Sequence, residues 1–264
     1  MDLKLNDKTA LVTGSTDGIG FAIAKGLLKE GTKVYINGRT QNKIDEAVEK
    51  LKAEVPDAKV EGIAADFSKI DEINALIKQL PDIDILVNNV GIFGDQPFET
   101  TDDETWFNSF DVNVMSGVRL SRHYAPIMKK KNWGRIIFIS SESAVNIPED
   151  MILYGVTKTA YLGLSRGLAK HLKRTNVTVN AILPGPTWSA ANIKSMQKLA
   201  DERGISLEDA GKTFVEEKRP SSILGDFVDP EAVANLVVYT ASPLSYATTG
   251  AALRVDGGVV DTPF

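Results

Sequence analysis

Short apolar segments alternate with longer amphipathic segments along most of the chain. The short segments are rich in β-branched residues and apolar throughout, which is typical of strands buried on both faces of a sheet. The longer segments repeat their apolar residues at helical spacing. Strands that alternate with helices predict a parallel sheet covered on both faces, and right-handed crossovers make that sheet doubly wound.

The pattern resolves into seven strands and six helices. The predicted strands are Thr9–Thr13, Lys33–Asn37, Lys59–Ala64, Ile83–Asn88, Gly134–Ser140, Val177–Leu183 and Ala252–Val255. The predicted helices are Ile19–Glu30, Gln41–Val55, Lys69–Leu80, Thr105–Lys130, Leu153–Arg174 and Pro230–Ala241, the last with Asp229 as its N-cap. We therefore expect an α/β fold with a Rossmann-like, doubly wound parallel sheet of about seven strands and helices on both faces.

One segment departs from this alternation. No strand is predicted between Leu183 and Pro230, and Ser189–Lys218 is charged and helical in character. Insertions at the carboxyl end of a strand often cover ligand sites. We therefore expect residues 189–226 to form a substrate-binding lid within a single domain of residues 1–264. A surface excursion with no part in binding is the alternative.

Composition narrows the classes of function. The net charge of −5 argues against a nucleic-acid partner, because phosphate binding needs a basic field. The absence of cysteine excludes disulfides, Cys-ligated zinc and a Cys nucleophile. The two histidines, His123 and His171, are expected on helix surfaces, so no metal site is predicted. The segment Met1–Ala10 is polar, and no apolar run approaches the roughly 18 residues of a membrane span, so we expect a cytoplasmic protein without a membrane partner.

Three glycines follow the first predicted strand and open the first helix. Gly14, Gly18 and Gly20 stand in a G-x-x-x-G-x-G pattern. Glycine permits positive φ in the turn and lets backbone N–H groups approach a phosphate, which the helix N-terminus also favours. The pattern indicates a dinucleotide site, with a tight turn that binds nothing as the alternative.

The second predicted strand ends without an acidic residue. In dinucleotide folds an acid here accepts a hydrogen bond from the ribose 2′-OH. Arg39 instead offers a guanidinium that can pair with a 2′-phosphate. We expect NADP(H) to be favoured, with NAD(H) possible if Arg39 is an ordinary surface residue.

The next two strand ends carry further candidates. Asp66 can accept from an adenine amino group, or it can cap the helix that follows. After the fourth strand, Asn88 and Asn89 can lock the loop backbone or contact a ribose, and Gly91 leaves room for a cofactor. A loop of the same residues with no ligand is the alternative.

A candidate proton-transfer group lies further along the chain. Tyr154 and Lys158 are four residues apart on a predicted helix, so their side chains share one face. A nearby ammonium stabilises the phenolate and is expected to lower the Tyr154 pKa, so that Tyr154 can act as general acid or base. Ser141, just after a strand, can donate a hydrogen bond to a substrate oxygen. A serine hydrolase is disfavoured because neither histidine lies in a loop that follows a predicted strand.

These features together resemble the classical short-chain dehydrogenase/reductase family over essentially the whole chain. The motifs that carry the resemblance are Thr13–Gly20, Asn88–Gly91, Asn113, Ser141, Tyr154, Lys158, Pro184-Gly185 and Arg254–Gly258. The resemblance implies a catalytic tetrad of Asn113, Ser141, Tyr154 and Lys158, in which Asn113 holds a water in a proton relay from Lys158. The expected cofactor-binding set is Gly14, Ser15, Thr16, Asp17, Gly18, Ile19, Gly20, Arg39, Asp66, Phe67, Asn88, Val90, Gly91, Tyr154, Lys158, Pro184, Gly185, Thr187 and Ser189.

Two residues depart from the family pattern. Val90 replaces the usual Ala beside the cofactor, and Glu142 follows Ser141 where a small or neutral residue is more common. We expect Glu142 to be a substrate-orienting or structural carboxylate, with a solvent-exposed side chain as the alternative.

The expected activity is NADP(H)-dependent interconversion of a carbonyl and an alcohol on a small-molecule substrate. A net non-redox reaction at the same site, a nucleotide-sensing protein without turnover and an NAD-specific enzyme remain alternatives. A substrate wall of Phe93, Val145, Met151, Leu153 and Trp188 is equally explained by core packing. The resemblance also implies a homotetramer or homodimer built on the two long helices and the last strand.

Overall fold

The computed structural model describes residues 2–94 and 96–263; Met1 and Phe264, the ends of the predicted domain, lie outside the described residues. The strands are β1 (Thr9–Val12), β2 (Lys33–Gly38), β3 (Val60–Ala64), β4 (Ile85–Asn88), β5 (Gly134–Ile139), β6 (Val177–Pro184) and β7 (Ala252–Val255). They form one sheet in the order β3-β2-β1-β4-β5-β6-β7, and all neighbouring pairs are parallel. The predicted seven-stranded parallel sheet is confirmed.

Nine α-helices are present in the described part of the chain. They are α1 (Gly18–Lys29), α2 (Gln41–Glu54), α3 (Ile70–Gln79), α4 (Asp103–Phe110), α5 (Ser116–Lys131), α6 (Ile152–His171), α7 (Ala190–Arg203), α8 (Leu207–Lys218) and α9 (Pro230–Ala241). Asp229 is the N-cap residue of α9 and Pro230 its first residue, as predicted, although the Asp229 side chain makes no capping hydrogen bond. His123 lies partly exposed on α5 and His171 is exposed at the end of α6.

The sheet is buried on both faces by separate apolar clusters. Helices α1, α2 and α9 cover one face, where Ala10 and Val12 of β1 point. Helices α3, α5 and α6 cover the other, which receives Leu11 of the same strand. Successive side chains of a strand point to opposite faces, so a strand between two helical layers must be apolar at every position.

The strand order reverses between β1 and β4. From β1 the chain moves outward through β2 and β3, and it then returns to β4 on the other side of β1. In open α/β sheets the crevice at the carboxyl ends of such strands is where ligands bind. The glycine-rich turn follows β1, and Asn88–Gly91 comprises the last residue of β4 and the loop after it, so both predicted motifs lie at this crevice.

The predicted helix Thr105–Lys130 is two helices separated by a π-helical turn, and this prediction is corrected. Helix α4 begins earlier because the Asp102 carboxylate caps it, accepting from the Thr105 N–H at 2.9 Å. Residues Asp111–Met115 form the π turn, and Asn113 lies within it. Such turns widen a helix by one residue and often occur at functional sites.

The segment between β6 and α9 folds as two helices, α7 and α8, with a small apolar cluster of their own that includes Met196, Val215 and Phe227. The Trp188 ring stacks on Phe227 with ring centroids 4.5 Å apart. The two ends of the segment meet in an isolated parallel bridge between Thr187 and Val228. The excursion therefore leaves and rejoins the domain at one place.

None of the helices in the described ranges combines the length and the apolar character that crossing a membrane requires.

Candidate active site

The glycine-rich turn has the conformation that its glycines predict. Gly14 and Gly18 have φ of +59° and +57°, a region that residues with a Cβ avoid. Gly20 has no space for a side chain, because a Cβ there would stand 2.4 Å from the Gly14 carbonyl oxygen. Asp17 caps α1 by accepting from the Gly18 N–H at 2.7 Å. The glycine-rich turn thus places the N-terminus of α1 at the crevice, and Ile19 and Gly20 are among the first residues of this helix.

Two asparagines from neighbouring strands fix this turn. The Asn89 Nδ2 donates to the carbonyl oxygens of Thr13 and Gly14, both at 2.9 Å. The Asn37 Oδ1 accepts from the Gly14 N–H at 3.1 Å, and the Asn37 N–H donates to the Ser15 Oγ at 3.0 Å. The expectation that the Asn88-Asn89 pair locks the loop holds for Asn89. Asn37 was not predicted, because a polar residue ending a strand carries no distinctive signal.

The end of β2 brings Arg39 beside the turn. A Cβ on Gly38 would stand 2.6 Å from the Thr16 Cγ2, so Thr16 packs directly on the strand end that precedes Arg39. Arg39 is exposed, and its charge contributes to lowering the pKa of Asp66. The main cause of that lowering is the Ser68 N–H, which donates to the Asp66 Oδ1 at 3.0 Å. Asp66 closes a local turn, and Lys69 rather than Asp66 is the N-cap residue of α3.

Two of the predicted residues at the end of β4 and just after it, Asn88 and Val90, pack against neighbouring elements. Asn88 is 2% exposed, and its Nδ2 lies 3.5 Å from the Ser121 Oγ on α5. The Asn88 Oδ1 is buried and has no hydrogen-bond partner among the described residues. Val90 packs against the turn, with its Cγ2 3.2 Å from the place of a Cβ on Gly14. Phe67, after β3, is likewise buried.

Asn113 ties the loop after β4 to α6. Its Oδ1 accepts from the Ile92 N–H at 2.7 Å, and its Nδ2 donates to the Ile92 carbonyl oxygen at 2.9 Å and to the Thr157 Oγ1 at 3.1 Å. A Cβ on Gly91 would lie 3.2 Å from the Lys158 Nζ and 3.7 Å from the Asn113 Oδ1. Gly91 therefore leaves an opening that these two polar groups line.

Ser141 and Tyr154 meet beside this opening. The Ser141 Oγ accepts from the Ser143 N–H at 3.1 Å and donates to the Glu142 Oε2 at 3.0 Å. The Ser141 side chain is also near enough to the Tyr154 hydroxyl to influence its pKa. The Tyr154 ring is partly buried and meets Phe93 edge-on, with ring centroids 6.0 Å apart. The predicted pair is thus brought together by the end of β5 and the start of α6.

The pKa of Tyr154 is raised, and the expected lowering by Lys158 is corrected. Burial raises this pKa to about 12, since a phenolate loses its hydration there. The Ser141 side chain lowers the pKa of Tyr154, Glu142 raises it and Arg219 lowers it. Lys158 lies on the same face of α6, with its Nζ 5.5 Å from the Tyr154 ring centroid.

Lys158 is 4% exposed, and its Nζ donates to the Ile139 carbonyl oxygen at 2.9 Å. Burial lowers the pKa of Lys158 to about 8. An ammonium in an apolar setting loses hydration that one carbonyl does not replace. At neutral pH the group remains mostly cationic, which suits it to attract the hydroxyl or phosphate oxygens of a ligand.

Glu142 is buried rather than solvent-exposed, so the alternative reading of this residue is wrong. The side chain is 3% exposed, and its Oε1 accepts from the Arg219 Nε at 2.6 Å. Its Oε2 accepts from the hydroxyls of Ser141 and Ser143. Arg219 directly follows α8 and is 8% exposed. No feature of the sequence indicated Arg219, which is one of several cations in a charged segment.

A cavity of about 100 Å³ opens next to the Tyr154 ring. Its lining combines apolar and polar side chains: Ile92, Phe93, Gln96, Ser109, Asn113, Leu153 and Tyr154. Phe93 and Leu153 of the suggested wall line this cavity. Trp188 instead packs within the α7–α8 cluster, and Val145 is exposed. Gln96 and Ser109 were not predicted, because neither belongs to a recognisable motif.

The segment after β6 borders the crevice opposite the loop after β4. Gly185 lies against Asp256, whose carbonyl oxygen would be 2.6 Å from a Cβ at that position. Thr187 is buried and donates to the Gly185 carbonyl oxygen at 2.9 Å. Ser189 caps α7, and its Cβ lies 3.4 Å from the place of a Cβ on Gly18. Of the predicted residues Pro184 to Ser189, Ser189 is thus the one shown beside the glycine-rich turn.

The residues present fit a dinucleotide. Backbone N–H groups at the start of α1, two positive-φ glycines and the opening at Gly91 all lie at the carboxyl ends of β1 and β4. This is the arrangement that a pyrophosphate and a flat nicotinamide ring require.

Comparison with known proteins agrees with this geometry. Residues 8–200 match the family described as short chain dehydrogenase. The chain is 43% identical to the uncharacterized oxidoreductase YvaG of Bacillus subtilis, with both chains covered completely. It is 35% identical to the D-beta-hydroxybutyrate dehydrogenase of Cupriavidus necator, covering 97% of this chain and 99% of the relative.

A solved structure extends the comparison to three dimensions. The L-sorbose reductase of Gluconobacter frateurii, complexed with NADPH and L-sorbose, superposes with a TM-score of 0.93 at 31% identity. The alignment covers 99% of this chain and all of the reductase. The chain therefore belongs to the short-chain dehydrogenase/reductase family of oxidoreductases.

Proposed function

We propose that this protein is an NADP(H)-dependent oxidoreductase that interconverts a carbonyl and an alcohol. The observation that carries the proposal is the meeting of Ser141, Tyr154 and Lys158 at one end of the crevice that the glycine-rich turn opens at the other. A nicotinamide cofactor supplies or accepts the hydride when bound. The chain's own residues then have to hold the substrate oxygen and move one proton.

Each residue of the cluster has a distinct proposed task. Tyr154 gives its hydroxyl proton to the substrate oxygen during reduction and takes it back during oxidation. Ser141 donates a hydrogen bond to the same oxygen as negative charge develops on it. Lys158 binds and orients the cofactor as a buried cation, and Asn113 holds the loop that borders both groups. A water relay from Lys158 through Asn113 stays a prediction of the family resemblance.

The cofactor is held by the remaining predicted set, from Gly14–Gly20 to Ser189. The NADP preference is supported by Arg39, which is exposed at the end of β2 next to Thr16. A guanidinium at this position attracts a 2′-phosphate, whereas the carboxylate found in NAD-binding folds repels it. The L-sorbose reductase, a structural relative, is itself complexed with NADPH.

The raised pKa of Tyr154 favours reduction near neutral pH. With a pKa of about 12 the phenol is protonated and ready to donate. Oxidation needs the phenolate, so its rate is expected to rise with pH up to the pKa of Tyr154 in the working complex. That dependence follows from the same group acting as acid in one direction and base in the other.

The lid and the cavity define the proposed substrate end. Residues 189–226 carry α7 and α8 and stand over the β5–α6 connection through Arg219 and Glu142. The small cavity beside Tyr154 is lined by amide and hydroxyl groups as well as apolar ones. This lining suits a compact polar carbonyl compound, such as a sugar or a small diketone.

A homo-oligomer is part of the proposal. Phe107 on α4 is 74% exposed and lines a broad surface depression with Phe110 and Met115. Strand β7 is an edge strand of the sheet. Light scattering coupled to size exclusion should give two or four times 28.6 kDa, and a mass of one chain would contradict the proposal.

The decisive experiment is NADPH oxidation across a panel of carbonyls that includes sugars, small diketones, quinones, ketosteroids and acyl thioesters. We expect turnover with at least one compact carbonyl, and product analysis should find the matching alcohol. Tyr154→Phe is the control and should abolish turnover. NADPH binding without turnover of any compound would favour a nucleotide-sensing protein instead.

A further inference from the structure

The carboxylate of Glu142 stands next to the place where the proposed reaction develops negative charge. It is buried, and it shares its Oε2 between the hydroxyls of Ser141 and Ser143. A buried carboxylate repels a phenolate or an alkoxide close by, because little water screens them from each other. Left alone, Glu142 would therefore oppose the chemistry that Tyr154 and Ser141 perform.

Glu142 also competes for the Ser141 proton. A serine hydroxyl has a single proton to donate, and in the structure that proton points to the Glu142 Oε2 across 3.0 Å. The second polar contact, from the Ser143 N–H at 3.1 Å, uses the serine oxygen as acceptor. To stabilise a substrate oxygen, Ser141 must turn its proton away from Glu142.

Arg219 offsets the charge of Glu142. Its Nε donates to the Glu142 Oε1 at 2.6 Å, and its Nη1 donates to the Lys218 carbonyl oxygen at 2.8 Å. The guanidinium carbon lies 5.9 Å from the Phe214 ring centroid, so the cation is enclosed by the lid. A carboxylate engaged by a guanidinium binds a hydroxyl less strongly than a bare carboxylate does.

The neighbouring residue makes a contrasting ion pair. Lys218 pairs with Asp150 at 3.1 Å, with side-chain exposures of 53% and 41%. The Arg219–Glu142 pair has exposures of 9% and 4%. Both pairs join the end of α8 to the segment between β5 and α6, but only the buried pair reaches Ser141. The Lys218–Asp150 pair thus provides a control for docking of the lid.

We propose that Arg219 is a positioning residue for proton transfer, which neutralises Glu142 and so leaves the Ser141 hydroxyl available to the substrate oxygen and to Tyr154. The inference rests on the proposed function and adds to it a residue from the lid. It also gives Glu142 a task, since the carboxylate holds Ser141 in place until a substrate oxygen competes for its proton. The charged groups facing Tyr154 are Glu142, Arg219 and, on its own helix, Lys158.

The test compares Arg219→Met, Glu142→Gln, the double variant and Lys218→Met by the pH dependence of kcat/KM for alcohol oxidation with NADP⁺. Arg219 lowers the pKa of Tyr154 and Glu142 raises it. Arg219→Met should therefore move the rising limb to higher pH, and Glu142→Gln should move it to lower pH, each by about one unit. The double variant should return close to the wild-type position, and Lys218→Met should leave the limb where it is.

A second readout is independent of turnover. Tyrosinate absorbance is measured in the same proteins at about pH 10.5, near the ordinary phenol pKa of about 10. The spectrum of each variant's Tyr154→Phe counterpart is subtracted. The Tyr154 phenolate fraction should be largest in Glu142→Gln and smallest in Arg219→Met. Circular dichroism confirms that each variant is folded, and Arg219→Lys should restore most of the effect because it returns the charge.

The outcomes separate this inference from the proposed function. If the absorbance order holds but neither the wild type nor any variant turns over a substrate, the proposed function fails, and only the electrostatic coupling of Arg219 and Glu142 to Tyr154 is demonstrated. Turnover with unshifted pH limbs in both single variants would overturn the inference. So would a Lys218→Met shift as large as that of Arg219→Met, since it would show that lid docking alone is responsible.

Discussion

Lys158→Met is expected to stabilise the folded protein while removing its activity. Lys158 is 4% exposed, and its described hydrogen bonds reach one acceptor, the Ile139 carbonyl oxygen. Burial lowers the pKa of this lysine from 10.5 to about 8. The folded protein therefore holds a proton here less readily than the unfolded chain does. The charged side chain is a cost to folding that the proposed cofactor-binding role explains.

The size and sign of the effect follow from linkage. A lowering of the pKa from 10.5 to about 8 corresponds to roughly 3 kcal/mol of destabilisation at neutral pH. This cost is complete below pH 8. It disappears as the pH rises towards 10.5, because the unfolded chain then also loses the proton. Met fills a similar volume but leaves the Ile139 carbonyl without its donor, which costs about 1 kcal/mol. We expect a net gain of about 2 kcal/mol at pH 7 and none near pH 10.5.

Urea unfolding of the wild type and Lys158→Met at several pH values between 7 and 10.5 measures this directly. Lys170→Met is the matched control, because Lys170 is an exposed lysine on the same helix. It should stay within about 0.5 kcal/mol of the wild type at every pH. A Lys158→Met protein that is less stable at pH 7, or whose gain does not shrink as the pH rises, would refute the reasoning.

Three further predictions concern the cofactor, the core and the surface of α6. Arg39→Asp should weaken NADPH binding at least tenfold relative to NADH binding, because a carboxylate repels the 2′-phosphate. Lys173→Asp, the same reversal of charge at another exposed site, should leave the ratio of the NADPH and NADH dissociation constants unchanged. Gly62→Ala should lower the free energy of unfolding by about 2 kcal/mol, since its Cβ would stand 1.9 Å from the Ile44 Cγ2. Gly163→Ala, on α6 with open space at that position, should raise the same free energy by about 0.5 kcal/mol or more in chemical denaturation.

Much of the fold could be predicted because its rules are local. A strand between two helical layers has to be apolar at every position, so its sequence is recognisable. Glycines with positive φ, such as Gly14 and Gly18, indicate a turn in the same way. The break in the long helix could not be predicted. Asn113 holds the π turn through Ile92 and Thr157, which are 21 and 44 residues away, so helix propensity alone suggests continuity.

In the candidate site, too, some features could be predicted from the sequence and others could not. Ser141, Tyr154 and Lys158 follow from spacing, but their electrostatics depend on burial. The prediction that Lys158 lowers the pKa of Tyr154 was wrong because desolvation of the phenol dominates. Arg219 is 77 residues from Glu142, and no pattern links two such distant charges. Pairs of this kind require the folded structure.

Tyr154 is proposed to transfer the proton in NADPH-dependent carbonyl reduction. The most direct measurement compares the wild type with Tyr154→Phe, using NADPH fluorescence for binding and NADPH oxidation for turnover with the best carbonyl of the panel. We expect an NADPH dissociation constant within about twofold of the wild type and a kcat reduced by about 10²–10⁴-fold. Turnover close to the wild-type rate in Tyr154→Phe would contradict it.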